Sequence, residues 1–430
     1  MRRRAFLGTV AASPLLLAAV PSIRSREPYG ELQAADANGL MLPPGFTSRE
    51  IGRQGQTVGA SAYPWHVFPD GGATFATDDG GWIYVSNSEL LDGGGGVGAV
   101  RFAADGTITD AYPICRDTST NCAGGATPWG TWLTCEEVEG GQVWECDPFG
   151  AQPAVVRPAL GQFKHEAVAV DPVNQQLYLT EDNVPGRLYR FTPTRWEDLT
   201  EGVLEEAVTD DDGNVTWTQD KAGGTEYSGG EGMAYFDGKI VFTTKSDSSI
   251  RELDIDAARM RVLYAPGDGL EIEGPDNITF SSYGDLYVCE DNGGLEQELV
   301  LIAPDGTRSV VVRSTGNDGS ELAGVAFNPA EDRMYFSSQR GAGGGGITYE
   351  VSGPFRQFVA TTTTQAATSD DDEAGAPPVD TSGGTNSSDD GPPWPAIGAA
   401  AAVGVAVIGG VAWLRNRRGS ETTGDESPGQ

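Results

Sequence analysis

The chain has 430 residues, and its 28 basic and 62 acidic side chains give a formal net charge of −34, which argues against nucleic acid as a partner. Only two histidines are present, His66 and His165, so a zinc site built on several histidines is excluded. Lysine is nearly absent, and the acidic, lysine-poor composition suits a salty exterior where screening removes self-repulsion, as well as simple solubility.

At the N-terminus, Arg2, Arg3 and Arg4 precede Phe6, Leu7 and a small-to-apolar run through Val20. This reads as a twin-arginine export signal over residues 1–30. The implied route delivers a folded protein outside the cytoplasm, often with metal already loaded.

Residues 35–355 carry a repeat: six short apolar strands, each ending in polar or charged residues. They are WIYVSNSE (82–89), TWLTCEE (131–137), LYLTEDN (177–183), IVFTTKSD (240–247), LYVCEDN (286–292) and MYFSSQR (334–340). Anchored on Tyr84, Leu133, Tyr178, Val241, Tyr287 and Tyr335, they recur 49, 45, 63, 46 and 48 residues apart. Such a period with one strong hairpin per unit predicts an all-β, six-bladed β-propeller. Each strand follows another apolar strand and a turn rich in Asp, Asn, Pro and Gly, as in EAVAV-DPVNQQ-LYLTED (166–182).

After the propeller, residues 361–393 are Thr, Ser, Asp, Gly and Pro and predict a disordered acidic stalk. Residues 394–414 carry no charge and are long enough for one transmembrane helix. Arg415, Arg417 and Arg418 then place the 415–430 tail in the cytoplasm by the positive-inside rule. The expectation is a monomeric cell-surface propeller anchored in the cytoplasmic membrane. Five cysteines (115, 122, 135, 146, 289) are an odd number, so at least one stands outside any internal disulfide. Cys115 falls in an irregular stretch, Cys135 and Cys289 in strands, and the sequence assigns no pairing.

Antiparallel pairing brings the residue before strand one and the residue after strand two to the same end of a hairpin, which in a propeller is one mouth of the central channel. Before strand one stand Glu166, Glu231 and Asp276, with Cys122 in the second blade and Ala323, preceded by Glu321, in the sixth. After strand two come Glu89, Glu136, Glu137, Glu181, Asp182, Glu290 and Asp291, with Lys245 and Arg340 in the fourth and sixth blades. Converging carboxylates repel unless cations compensate, and hard cations such as Ca²⁺ take six to eight oxygen ligands. A lone thiolate among them points to a transition metal such as iron. The residues therefore read as a polynuclear, mostly oxygen-ligated metal site with Cys122 as its soft ligand. The plainer alternative is a set of solvated acidic loops with Cys122 merely packed, but the regular placement at one hairpin end speaks against it. His165 is either a hydrogen-bonding or acid–base group at the mouth or a structural residue. No nucleophile elbow, P-loop or dinucleotide fingerprint is present.

The block NCAGGATPWGTWLTCEE (121–137) closely resembles the signature of the PhoX-type alkaline phosphatases, and KHEAVAVDP (164–172), YLTEDN (178–183), EGMAY (231–235), PDNI (275–278) and ELAGVAFNP (321–329) resemble further blocks of that family. The resemblance implies a six-bladed propeller holding two iron ions and several Ca²⁺ ions at one channel mouth, hydrolysing small phosphate monoesters outside the cell. It makes Cys122 an iron ligand and Glu89, Glu136, Glu181, Glu231, Asp276 and Glu290 the leading acidic ligands. Phosphate-clamping candidates are Arg340 and Lys245, then Arg187 and Lys164. The alternatives are a Ca²⁺-dependent propeller lactonase or phosphodiesterase, and a non-catalytic surface protein with structural metals.

Overall fold

The computed structural model describes residues 28–357 except residues 222, 268, 294, 295, 318 and 342. The expected linker, membrane span and cytoplasmic tail, and nearly all of the export signal, lie outside the described residues. Among the described residues no helix is long and apolar enough to cross a membrane.

Six antiparallel sheets form in chain order, each led by a strand that lines the centre: Pro69–Ala76, Asn121–Ala126, His165–Asp171, Gly230–Phe236, Pro275–Phe280 and Leu322–Phe327. Each leading strand packs on the leading strands of the neighbouring blades, and the last packs on the first, so the ring closes. The architecture is an all-β six-bladed propeller. The 63-residue spacing between the third and fourth repeats comes from the third blade, which adds a fifth strand, Val215–Thr218, and a connection before Gly230.

Closure uses the N-terminal segment. Thr47–Arg53 becomes the outermost strand of the sixth blade by pairing with Ile347–Ser352, and Leu40–Met41 pairs with Arg308–Ser314 at the edge of the fifth. Long-range pairing of the chain ends covers two sheet edges that would otherwise stay open. Fully buried Glu350 reinforces the seam: Arg49 and Arg333 contact its two oxygens at 2.7 Å each, and Tyr335 Oη donates to it at 2.8 Å. Apolar residues on both faces of the inner strands fill the space between blades. Trp132 lies wholly buried between the first and second blades, and Tyr84 stacks on Tyr335, centroids 4.8 Å apart, between the sixth and first.

Candidate metal centre

Each hairpin ends in the same backbone bond at the channel mouth, from the residue after strand two to the carbonyl before strand one. The pairs are Glu89–Phe68 (3.1 Å), Glu137–Thr120 (2.9 Å), Asp182–Lys164 (3.2 Å), Lys245–Gly229 (3.0 Å), Asp291–Gly274 (2.9 Å) and Gln339–Glu321 (3.0 Å). Just inside this bond, the register of every leading strand shifts by a bulge. A bulge bends the strand and re-aims a side chain. Here it carries Asp70, Cys122, Glu166, Glu231 and Asp276, whereas in the sixth blade Ala323 stays paired and the bulge falls at Gly324 and Val325.

Side chains of the neighbouring blade hold these bulges. Asn87 Nδ2 donates to the carbonyls of Cys122 (3.0 Å) and Ala123 (2.9 Å), while its Oδ1 accepts from Trp132 Nε1 (2.9 Å) and Thr134 Oγ1 (3.0 Å). Thr180 Oγ1 donates to the Glu231 carbonyl at 2.7 Å, and Thr243 Oγ1 to the Asp276 carbonyl at 2.6 Å.

Two groups of ligand-type atoms form. Asp70, Glu89 and Cys122 offer atoms within 4.8 Å of one another, and so do Cys122, Glu137 and Glu166. The Cys122 thiol is common to both. Gln339 Nε2 donates to Asp70 and, at 2.6 Å, to Glu89. On the far side, Lys245 Nζ sits among Glu231 (3.2 Å), Asp276 (3.0 Å) and Asp291 (3.2 Å). Lys164 Nζ lies 3.1 Å from Glu137 and 3.7 Å from Asp182. Arg340 contacts Glu321 at 2.7 Å and Glu89 at 3.9 Å.

Each acidic doublet after strand two splits, because successive side chains along a strand point to opposite sides. Only the second member faces the mouth. Glu136 instead accepts backbone N–H groups of Ser119 (3.0 Å) and Gln142 (3.2 Å), and Glu290 those of Glu273 (2.9 Å) and Glu298 (3.1 Å). Glu181 accepts from Tyr189 Oη at 3.1 Å. The expectation that Glu136, Glu181 and Glu290 converge with the others is thereby corrected: their carboxylates brace outer loops and strands. Arg187 also lies elsewhere, 3.7 Å from Glu206 and 3.4 Å from Glu226. His165 turns back to the Gly161 carbonyl (Nε2 to O, 3.2 Å) and packs on Phe163, and burial keeps its imidazole neutral with a pKa of about 3. His66 is half-buried, between Tyr63 and Ser86.

The structure adds Asp70 and Gln339 to the mouth. Asp70 stands 14 residues before Tyr84, beyond the spacing of the other blades, so the repeat did not single it out. Gln339 carries no charge to flag it.

Burial, and then the neighbouring carboxylates, push Asp70, Glu89, Glu137, Glu166, Glu231 and Glu321 well above the ordinary carboxylate range. Burial lifts Asp276 to about 7 against the pull of Lys245. Burial likewise raises the Cys122 thiol, with Glu166 the next cause. Neither oxygen of buried Glu166 meets a hydrogen-bond donor, and Glu137 lies 3.1 Å from the ammonium of Lys164. Buried carboxylates without donors are costly unless a cation or a proton takes the donor's place. A shared soft donor flanked by such oxygens fits two cations. Above them opens a cleft of about 700 Å³ whose lining includes Lys164, Lys245 and Arg340.

Fold and mouth together define a six-bladed β-propeller with a candidate metal centre in its channel, beside a cleft lined by Lys164, Lys245 and Arg340 together with Asp182, Glu231, Asp291 and Glu321. The family model described as alkaline phosphatase PhoX matches residues 86–151, 139–226 and 264–341, just over half of the chain, and the protein belongs to that family. The matched segments contain Glu89, Cys122, Glu137, Glu166, Asp276, Glu321 and Arg340, whereas Asp70, Glu231 and Lys245 lie outside them. Among solved structures, the chain is similar to Pseudomonas fluorescens PhoX in complex with vanadate, a transition state analogue (15% identity, TM-score 0.61, 74% of this chain and 97% of that one). It is also similar to XC5397 from Xanthomonas campestris, described as a gluconolactonase (13% identity, TM-score 0.48, 76% of this chain and 99% of that one). No curated protein sequence matches the chain.

Proposed function

We propose that the protein is an extracellular phosphomonoesterase, exported by the twin-arginine route and tethered by its C-terminal segment. The observation that carries this reading is the juxtaposition of two donor groups sharing Cys122 with a cleft lined by Lys164, Lys245 and Arg340. Asp70, Glu89 and Cys122 would hold one cation, and Cys122, Glu137 and Glu166 a second. The thiolate favours iron in this pair, and oxygen-rich positions around Asp182, Glu231, Asp276, Asp291 and Glu321 suit Ca²⁺. When bound, such cations neutralise phosphoryl oxygens and activate a nucleophile.

The chain's own groups then bind and orient. Arg340 presents a planar fork matched to phosphoryl oxygens, and its two carboxylate contacts fix the guanidinium at the wall. Nearby carboxylates, after the opposing effect of burial, raise the pKa of Lys245 well above that of an ordinary lysine and keep it charged. Lys164 supplies a third positive charge at the rim, and it too is held above the usual lysine range. Together they offset the acidic mouth that would otherwise repel a phosphate dianion, and they stabilise charge that builds on equatorial oxygens.

The test is hydrolysis by natively exported protein of p-nitrophenyl phosphate, bis-p-nitrophenyl phosphate and a lactone panel, with elemental analysis of the same sample. Monoester turnover with iron and calcium present is the expected result. Lactone or diester turnover with calcium alone would replace this reading by another propeller hydrolase, and bound metal without any turnover by a surface binding protein.

A further inference from the structure

Away from the channel mouth, the first and second blades meet at a pair of thiols. Cys115 lies in the outer strand Ile108–Thr118, not in the irregular stretch the sequence suggested, and Cys146 ends the third strand of the second blade, Val143–Cys146. Cys115 pairs with Val97 and Pro113 with Gly98, so Ile114 is an extra, bulged residue. That bulge keeps Cys115 on the side of Tyr112, facing the neighbouring blade. The contact there is close. Tyr112 Oη donates to the Pro148 carbonyl at 3.0 Å, and the backbone of Gly150 runs against the Tyr112 ring, where a Cβ would come within 3.2 Å. Cys115 and Cys146 share one buried cluster between the blades, and each thiol perturbs the other's ionisation. Cys115 also lines a separate cleft of about 370 Å³ with Arg116, Trp144, Gly150 and Gln152, which opens a path for a reagent to its sulfur.

We propose that Cys115 and Cys146 form an inter-blade disulfide when the folded chain meets a disulfide oxidant, either a small molecule or a protein. The Cys115 thiolate attacks one sulfur of the oxidant and expels the other as a thiolate. Cys146 then loses its proton and attacks the Cys115 sulfur, expelling the second oxidant thiol, so two electrons leave the protein and the oxidant becomes two thiols. Cys115 lines the open cleft and Cys146 does not, which makes Cys115 the attacker and Cys146 the resolver. The other cysteines do not compete: Cys135 and Cys289 are fully buried, with thiols raised first by burial, and Cys122 sits in the channel mouth. The bond would bracket the segment carrying Asn121, Cys122 and Glu137, tying both flanks of one donor group. It leaves Cys122, Cys135 and Cys289 as thiols, and it holds whether or not the protein is a phosphatase.

The experiment treats the reduced, folded full chain with oxidised glutathione, then denatures, alkylates and digests it for mass spectrometry. Expected is a Cys115–Cys146 linked peptide, alkylation of Cys122, Cys135 and Cys289 only, and a melting midpoint raised by about 5 °C and returned by reductant. Cys146→Ser should stop at a glutathione adduct on Cys115, with no rise in midpoint. Alkylation of all five cysteines after the treatment, or linkage through any other pair, overturns the proposal.

Discussion

Removing the cations should make stability fall as pH rises into the alkaline range. In the metal-free protein, burial and mutual repulsion hold Asp70, Glu89, Glu137, Glu166, Glu231 and Glu321 well above the ordinary range, and Asp276 at about 7. The folded state then binds more protons than the unfolded one from the unfolded carboxylate range upward. Stability contributed by those protons is full below the unfolded pKa and is lost as pH rises through the folded one. Each retained proton costs about 1.4 kcal/mol per pH unit, or about 2 kcal/mol between about pH 7 and about pH 8.5. The histidines stay out of this window: His66 and His165 have folded pKa values of about 3 and are neutral in both states above pH 7. With cations bound, the carboxylates are already ionised and the protons are absent, so the slope should be close to flat. The assay is urea unfolding across that window, with and without a strong chelator, in enough salt to screen the general surface repulsion. Equal slopes in the two samples, or a chelated protein that gains stability toward pH 8.5, would refute the argument that the mouth trades protons for cations.

Two substitutions separate binding from scaffolding. Arg340→Gln should lower kcat/KM for a phosphate monoester by about 100-fold, the scale for losing a donor that meets developing charge, while metal content stays unchanged by elemental analysis. Asn87→Ala should cost about 2–4 kcal/mol in urea unfolding, because it strands the buried Trp132 N–H and two bulge carbonyls, and should also lower the metal content by releasing the Cys122 backbone.

The propeller was legible because its hairpins repeat, and the mouth was legible because antiparallel pairing sends both hairpin ends one way. Glu166, Glu231 and Asp276 sit on bulges that share one place in the repeat, so spacing alone finds them. Spacing could not choose within Glu136–Glu137, Glu181–Asp182 or Glu290–Asp291, since both members carry acid and a one-residue step reverses the face. The chemistry divides those doublets: one carboxylate accepts local donors, the other is left with cations. Asp70 escaped because the first blade's strand is longer, and Gln339 because an amide looks neutral until Asp70 and Glu89 are found around it. His165 shows the opposite error. Adjacency to Glu166 suggested the mouth, but alternation along the strand turns the ring into the Phe163 contact.

Lys245 breaks the six-fold plan in a way that explains the asymmetry of the mouth. The equivalent position holds a carboxylate in the first, second, third and fifth blades and an amide in the sixth. Only the fourth offers an ammonium, and it lies 3.0–3.2 Å from three carboxylates contributed by the fourth and fifth blades. A covalently tethered cation there offsets one of those three charges before any ion binds, and the low-dielectric setting strengthens its attraction to them relative to a surface bridge. Across the channel, of Asp70, Glu89, Cys122, Glu137 and Glu166 only Glu137 has a lysine within ion-pair distance, and both Glu166 oxygens lack donors. The first three blades therefore hold the part of the mouth with the greatest unmet demand for cations. The lysine on the opposite wall fixes where that demand ends and where an anionic substrate meets positive charge.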